Sequence, residues 1–148
     1  LPYLADVARL DSAHWESYHA QDSAPIPQGA FASLDPATLA NLRFELLPSV
    51  RILPSSFPIV AIWRTNTEDA EVQPVEMAIT EDALVARPEM AVEVRSLPAG
   101  AAVFLSALRD GKPLGEAAAT ALNAEAGFNL SQNLAGLIAA RITARIIP

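Results

Sequence analysis

Residues 48–64 read PSVRILPSSFPIVAIWR, and the order of their parts decides what kind of fold this chain can adopt. A short β-branched run is followed by a Pro-Ser-Ser break, and then by a compact apolar segment that closes on Trp63 and Arg64. β-Branched and aliphatic residues between prolines favour a short strand, because proline cannot donate to a ladder and confines the run on both sides. Pro58 fits the first turn of a helix, where its missing N–H costs nothing. The stretch therefore predicts strand, turn and helix in immediate succession. Ile59, Ile62 and Trp63 should face a core, and Arg64 should sit at the helix C-terminus, where the dipole favours a cation.

The same reading extends in both directions. Upstream, residues 3–20 have the apolar spacing of a helix, with Leu4, Val7, Ala8, His14, Trp15 and Tyr18 near one face. QDSAPIPQG then interrupts it with two prolines and a glycine. Asp35-Pro36 is a cap and first position for a short helix to about Asn41. Residues 43–47 and 50–53 read as short strands parted by Pro48. Downstream, TNTEDAEVQP is an acidic solvated loop, and residues 83–87 and 91–97 form a hairpin around Pro88-Glu89. Its second arm alternates Val92 and Val94 against Glu93 and Arg95.

The last third is helical. Residues 99–108 carry Val103, Phe104, Ala107 and Leu108 and stop at Gly111. Residues 114–122 place Leu114, Ala118, Ala121 and Leu122 on one face. Asn129 with Gln132 makes a capping-box-like start for a third helix bearing Leu130, Leu134, Leu137, Ile138 and Ile142. The closing ARIIP is readable as strand or coil. The expected fold is α+β: a leading helix, a small antiparallel sheet and a C-terminal three-helix, winged-helix-like unit. Expected core residues are Ile62, Trp63, Val92, Val94, Phe104, Leu108, Leu122, Leu134 and Ile138.

Composition bounds the function. A chain of 148 residues, 51% hydrophobic and 18% charged, can bury a sizeable core. It has no cysteine, which removes disulfides, thiolate metal sites and thiol nucleophiles together. No uncharged stretch is long enough to span a bilayer, and no basic n-region precedes an apolar run. A cytoplasmic location without membrane contact is expected. The net charge of −7 divides unevenly: residues 1–94 carry −9 and residues 95–148 carry +2. Nucleic-acid affinity rests mainly on cations against phosphate, so only the C-terminal third offers a place for DNA.

Candidate sites are few. His14 and His19 are five residues apart, which splays their rings off one helix face; with Asp11 and Asp22 they make a poor metal set, and none is expected. Ser12 or Ser17 beside His14 lacks the strained elbow of a hydrolase nucleophile, and the Gly111 to Gly115 segment lacks phosphate-loop spacing. No cofactor site and no catalytic residue is read. The helix pair of residues 114–122 and 130–142 invites a helix-turn-helix reading, with Lys112, Arg141 and Arg145 for phosphates, yet only Ser131, Gln132 and Asn133 stand where base edges are read. The hairpin offers a second mode. An extended peptide can add to an edge strand through main-chain hydrogen bonds, with Val92, Val94 and Arg95 as the candidate contact residues.

One family resemblance accompanies these readings. LPYLADVARLDSA at residues 1–13, Tyr18-His19-Ala20, residues 48–64, Phe104 through Gly111, Ala117-Ala118 and Phe128 to Leu130 resemble, in that order, a family labelled DNA-binding and of unknown function. It accompanies multinuclear-iron TIM-barrel enzymes and is typified by the partner subunits of methanobactin and bufferin biosynthesis. Ser12 departs from it, since a bulky aromatic is expected there. The resemblance implies a non-catalytic accessory subunit that binds the iron enzyme and presents the leader of a ribosomally made precursor for cysteine modification. It also implies that residues 1–22 are the last helix of an N-terminal helical region, with residues 23–148 forming the α+β C-terminal domain. A homodimer stays open, and a DNA-binding regulator is the alternative.

Overall fold

The computed structural model describes residues 1–67 and 74–148. Most of the predicted acidic loop, residues 68–73, lies outside them. The elements run α1 (Leu4–His19), α2 (Gly29–Ala32), a 3-10 turn (Leu39–Asn41), β1 (Arg43–Leu46), β2 (Arg51–Leu53), α3 (Ile59–Thr67), β3 (Asp82–Ala86), β4 (Glu93–Leu97), α4 (Ala101–Arg109), α5 (Leu114–Ala124), α6 (Leu130–Ala140) and β5 (Thr143–Ile147). The fold is α+β, as expected.

The sheet is not one unit. β2, β3 and β4 form an antiparallel sheet with β3 in the centre, while β1 pairs with β5 in a separate two-stranded ribbon. The two strands flanking Pro48 thus part company. The Leu47 N–H donates to the Ile142 carbonyl at 2.8 Å, and the Ser49 hydroxyl accepts from the Arg87 N–H at 3.0 Å, so the linker is held by partners from two distant parts of the chain. ARIIP is a strand after all, its Arg145 opposite Glu45.

β3 is buried along four of its five residues, because both sheet faces are covered. Its side chains alternate. Ala83 and Val85 join Leu10, Ala13, Leu53, Ile59, Val60 and Val94 beneath α1 and α3. Leu84 and Ala86 join the larger cluster built on Phe44, Phe104, Leu108, Leu114, Phe128 and Ile142 beneath α4 to α6. α1 is part of this body: Leu10 is fully buried, and the Arg87 guanidinium donates to the carbonyls of Ser17 and Ala20 at its end.

Local chemistry explains the boundaries of the helical third. α4 begins at Gly100 with φ +76°, where a Cβ would stand 2.9 Å from Phe128. It ends at Gly111, φ +87°, in a paired closure: the Gly111 N–H bonds the Leu108 carbonyl and the Lys112 N–H bonds the Ala107 carbonyl. The Asn129 side chain accepts from the Gln132 N–H at 2.9 Å and so caps α6.

The core expectations hold for Ile62, Val94, Phe104 and Leu108. Trp63, Val92, Leu134 and Ile138 are only half-buried, and Leu122 is 55% exposed. The inward faces are Leu114, Ala117 and Ala121 on α5 and Asn133, Leu137 and Ala140 on α6. Both helices are apolar nearly all round, so a stripe displaced by one residue looks equally good in sequence.

Candidate peptide-docking site

β4 lies at the edge of its sheet and pairs only with β3 among the described residues. An edge strand presents main-chain donors and acceptors to whatever extended segment lies alongside. One acceptor is already engaged. The Arg64 guanidinium donates to the Val94 carbonyl at 2.8 Å, so Arg64 reaches sideways to the sheet edge. Polar side chains within α3 back-bond: Thr65 and Asn66 donate to the Ile62 carbonyl, and Thr67 to that of Trp63.

The three residues expected to contact a peptide divide. Val94 is buried in the core under α1 and α3, and Val92, one residue ahead of β4, is half-buried against the same cluster. The Val94 side chain is thus withdrawn from a ligand, whereas Val92 lines an open depression of about 660 Å³ beside His14 and Trp63. Arg95 is exposed and hydrogen-bonded to Glu93 at 3.2 Å, two positions along the strand and therefore on the same face.

Beside β4, on the sheet face opposite α1, is a cavity of about 220 Å³ that the sequence did not point to. Leu84, Leu97, Leu105, Leu137 and Ile142 give it apolar walls, and Arg95 stands at its rim. Gly136 of α6 also lines it, and a Cβ built on that glycine would meet nothing within 4 Å. The volume is below that of a drug-sized ligand site and suits an apolar side chain. β4 and the cavity together form an edge that can pair main chain while receiving one residue in a pocket. The signal in the sequence was the Leu97-Pro98 step, which ends the strand against the start of α4.

A larger depression lies elsewhere among the described residues. It measures about 1080 Å³ and is an open trough between residues 22–28 and 87–90. Its arginines are engaged: Arg87 pairs with Asp22 at 2.8 Å, and Arg141 pairs with Glu89. The hydrogen bond from Arg141 and its charge hold the Glu89 carboxyl below its ordinary pKa.

The phosphate candidates are scattered and each is paired. Lys112 lies between α4 and α5 and bonds Glu116 at 2.9 Å, a hydrogen bond and charge that raise its pKa. Arg141 terminates α6 in a left-handed conformation, φ 54°. Arg145 lies on β5 and bonds Glu45 of β1 at 2.6 Å. At the α6 N-terminus Asn133 is buried, which leaves Ser131 and Gln132 exposed there.

The histidines serve packing. His14 lies 5.4 Å from the Trp63 ring, and His19 sits 4.2 Å from Trp15 and 5.0 Å from Tyr18. Asp11 accepts from the Trp63 indole at 3.3 Å, and Asp22 holds Arg87. Among the described residues no group of three or more His, Asp or Glu is placed to hold a metal ion. Ser17, one of the two serines near His14, is fully buried. Among the described residues no helix is long and apolar enough to cross a membrane. No family model, no curated protein and no solved structure matches this chain.

Proposed function

We infer that this chain is a non-catalytic accessory subunit that holds a peptide in extended form along β4. The observation that carries the reading is the β4 edge, which among the described residues pairs with no strand on its outer side and has its Val94 carbonyl taken by Arg64, beside an apolar cavity of about 220 Å³. Main-chain pairing supplies affinity without regard to sequence, and the pocket selects one apolar side chain. The family resemblance supplies the partners: a ribosomally made precursor whose leader lies on the edge, and a multinuclear-iron TIM-barrel enzyme that modifies its cysteines. The engagement of Lys112, Arg141 and Arg145 with carboxylates favours this reading over DNA binding, since a paired cation releases less counterion energy on meeting phosphate.

The test is co-expression with the iron enzyme and the Cys-bearing precursor. Expected is a stable ternary complex whose modification activity is lost when this subunit is omitted. Gly136→Phe, which fills the cavity from a position with open space, should keep the complex with the enzyme and weaken capture of the leader at least tenfold. Failure to associate, together with salt-sensitive binding of duplex DNA, would overturn the reading in favour of a regulator.

A further inference from the structure

α1 has two apolar faces, and among the described residues only one is covered. Val7, Leu10, Ala13 and His14 pack inward against the sheet and α3. On the outer side Leu4, Ala8, Asp11, Trp15 and Tyr18 recur at intervals of three and four residues, and Leu1 lies just ahead of the helix. Leu1 is 78% exposed, Leu4 54%, Trp15 66% and Tyr18 58%. A mean spacing of 3.5 residues is that of a seam packed against another helix, since it keeps successive side chains on one line as two helices wind together. Small residues Ala5, Ala8 and Ser12 occupy the middle, which lets a second backbone approach closely. Trp15, Tyr18 and His19, in mutual ring contact, make a bulky anchor at one end.

Charge says what kind of helix fits. Asp11 sits within the seam, exposed; it accepts a hydrogen bond from the Trp63 indole at 3.3 Å and makes no ion pair among the described residues. A charged group inside a helical seam wants an opposite charge across it, and such a pair also sets the register. The rim is acidic outward: in the pairs Glu16–Arg51, Asp22–Arg87 and Glu89–Arg141 the carboxylate is the more exposed partner, 52% against 32%, 93% against 12% and 66% against 33%. Arg9, paired with Asp6, is the one exception near the seam. A second copy of α1 would bring the same carboxylate and no cation into the seam.

We propose that the outer face of α1 docks one basic amphipathic helix of a partner chain, with a Lys or Arg set opposite Asp11. The surface lies on the α1 and α3 side of the sheet and the cavity on the α4 and α6 side. The two sites can therefore be filled at once, and the proposal does not depend on peptide binding at β4.

The probe is a synthetic helix of about three heptads, long enough to be stable on docking, with Leu at the seam, one central seam Lys and Lys or Arg flanks. A peptide of the same composition in scrambled order is the control. Titration should move the Trp15 emission to shorter wavelength for the ordered peptide alone. Leu4→Ser with Trp15→Ser, both at exposed positions, should leave thermal melting unchanged and, read by titration calorimetry, weaken binding at least tenfold. Asp11→Ala should weaken the Lys-bearing peptide and favour a variant carrying Ala at the central position. Equal binding of the scrambled peptide, binding indifferent to these substitutions, no binding at all, or self-association of the protein that Leu4→Ser with Trp15→Ser abolishes would each overturn the proposal.

Discussion

The two faces of the β2–β3–β4 sheet are built to different depths. Beneath α4 to α6 the described residues include seventeen buried hydrophobics, with Phe44 and Phe104 at 1% and 0% exposure. Beneath α1 and α3 there are eight, none of them aromatic, and the largest that are fully buried are Leu10 and Ile59. β3 divides its side chains between the two, so the strand that joins the layers belongs to neither. Hydrophobic stabilisation scales with apolar area removed from water, which makes the helical side the principal source of stability. The α1 side is the thinner layer, and it is there that Trp15 and Tyr18 stand in solvent. One face holds the molecule together, and the other leaves apolar surface available for a partner.

Substitutions in the two layers separate these roles. The largest effect is expected at Phe104, fully buried in the deeper layer. Phe104→Asp should abolish cooperative melting, and Phe104→Ala should cost about 3–5 kcal/mol in denaturant unfolding. Wild-type-like melting of the Asp variant would remove the helical layer from its place as the main core. Leu10→Ala in the thinner layer should cost about 2–5 kcal/mol by the same cavity argument. Its signature differs, because native-state hydrogen exchange should rise first in α1 while α4 and α6 keep their protection. Uniform loss of protection would mean that the two layers open as one unit.

A smaller, pH-dependent term is expected in the thinner layer. Asp6 accepts from the Ser55 hydroxyl at 2.6 Å and from Arg9 at 2.8 Å, and these hydrogen bonds, the Ser55 bond foremost, hold its carboxyl below the ordinary value of 3.8. A carboxyl whose pKa is lowered by folding stabilises the native state above its ordinary pKa, and loses that contribution as pH falls through the lowered one. Asp6→Asn should therefore be less stable than wild type at neutral pH, and the gap should close in acid below 3.8. A pH-independent gap would assign the effect to packing instead. The least effect is expected at Leu122, which is 55% exposed. Leu122→Ser should change stability by no more than about 0.5 kcal/mol. A loss of several times that would return Leu122 to the core.

The sequence was most legible where chemistry is local. Pro58, Asn129 and Gly111 mark helix ends through main-chain donors and left-handed turns, and the structure uses them that way. The hairpin of β3 and β4 was visible in its alternation around Pro88-Glu89. What was not legible depends on distant parts of the chain. Nothing near Arg43 announces Ile147 as its partner, so β1 was expected in the wrong sheet. α5 and α6 are rich in Ala and Leu and give too little contrast to fix which side faces in, which misplaced Leu122. The docking edge was half legible. A strand at 91–97 with Val94 in the core and Arg95 on the opposite face was expected, but the cavity between Leu97, Leu105 and Leu137 arises only when α4 and α6 pack beside β4. The cations behaved likewise, since Glu45 and Arg145 are a hundred residues apart and become neighbours through the ribbon.

The most direct test of the account is amide hydrogen exchange of the whole chain with and without the leader of the precursor peptide. Added protection concentrated on residues 92–97, with a smaller gain on α6 along the cavity wall and none on the outer face of α1, is the predicted result. Protection that skips β4, or none at saturating peptide, would contradict the assignment of this edge as the peptide site.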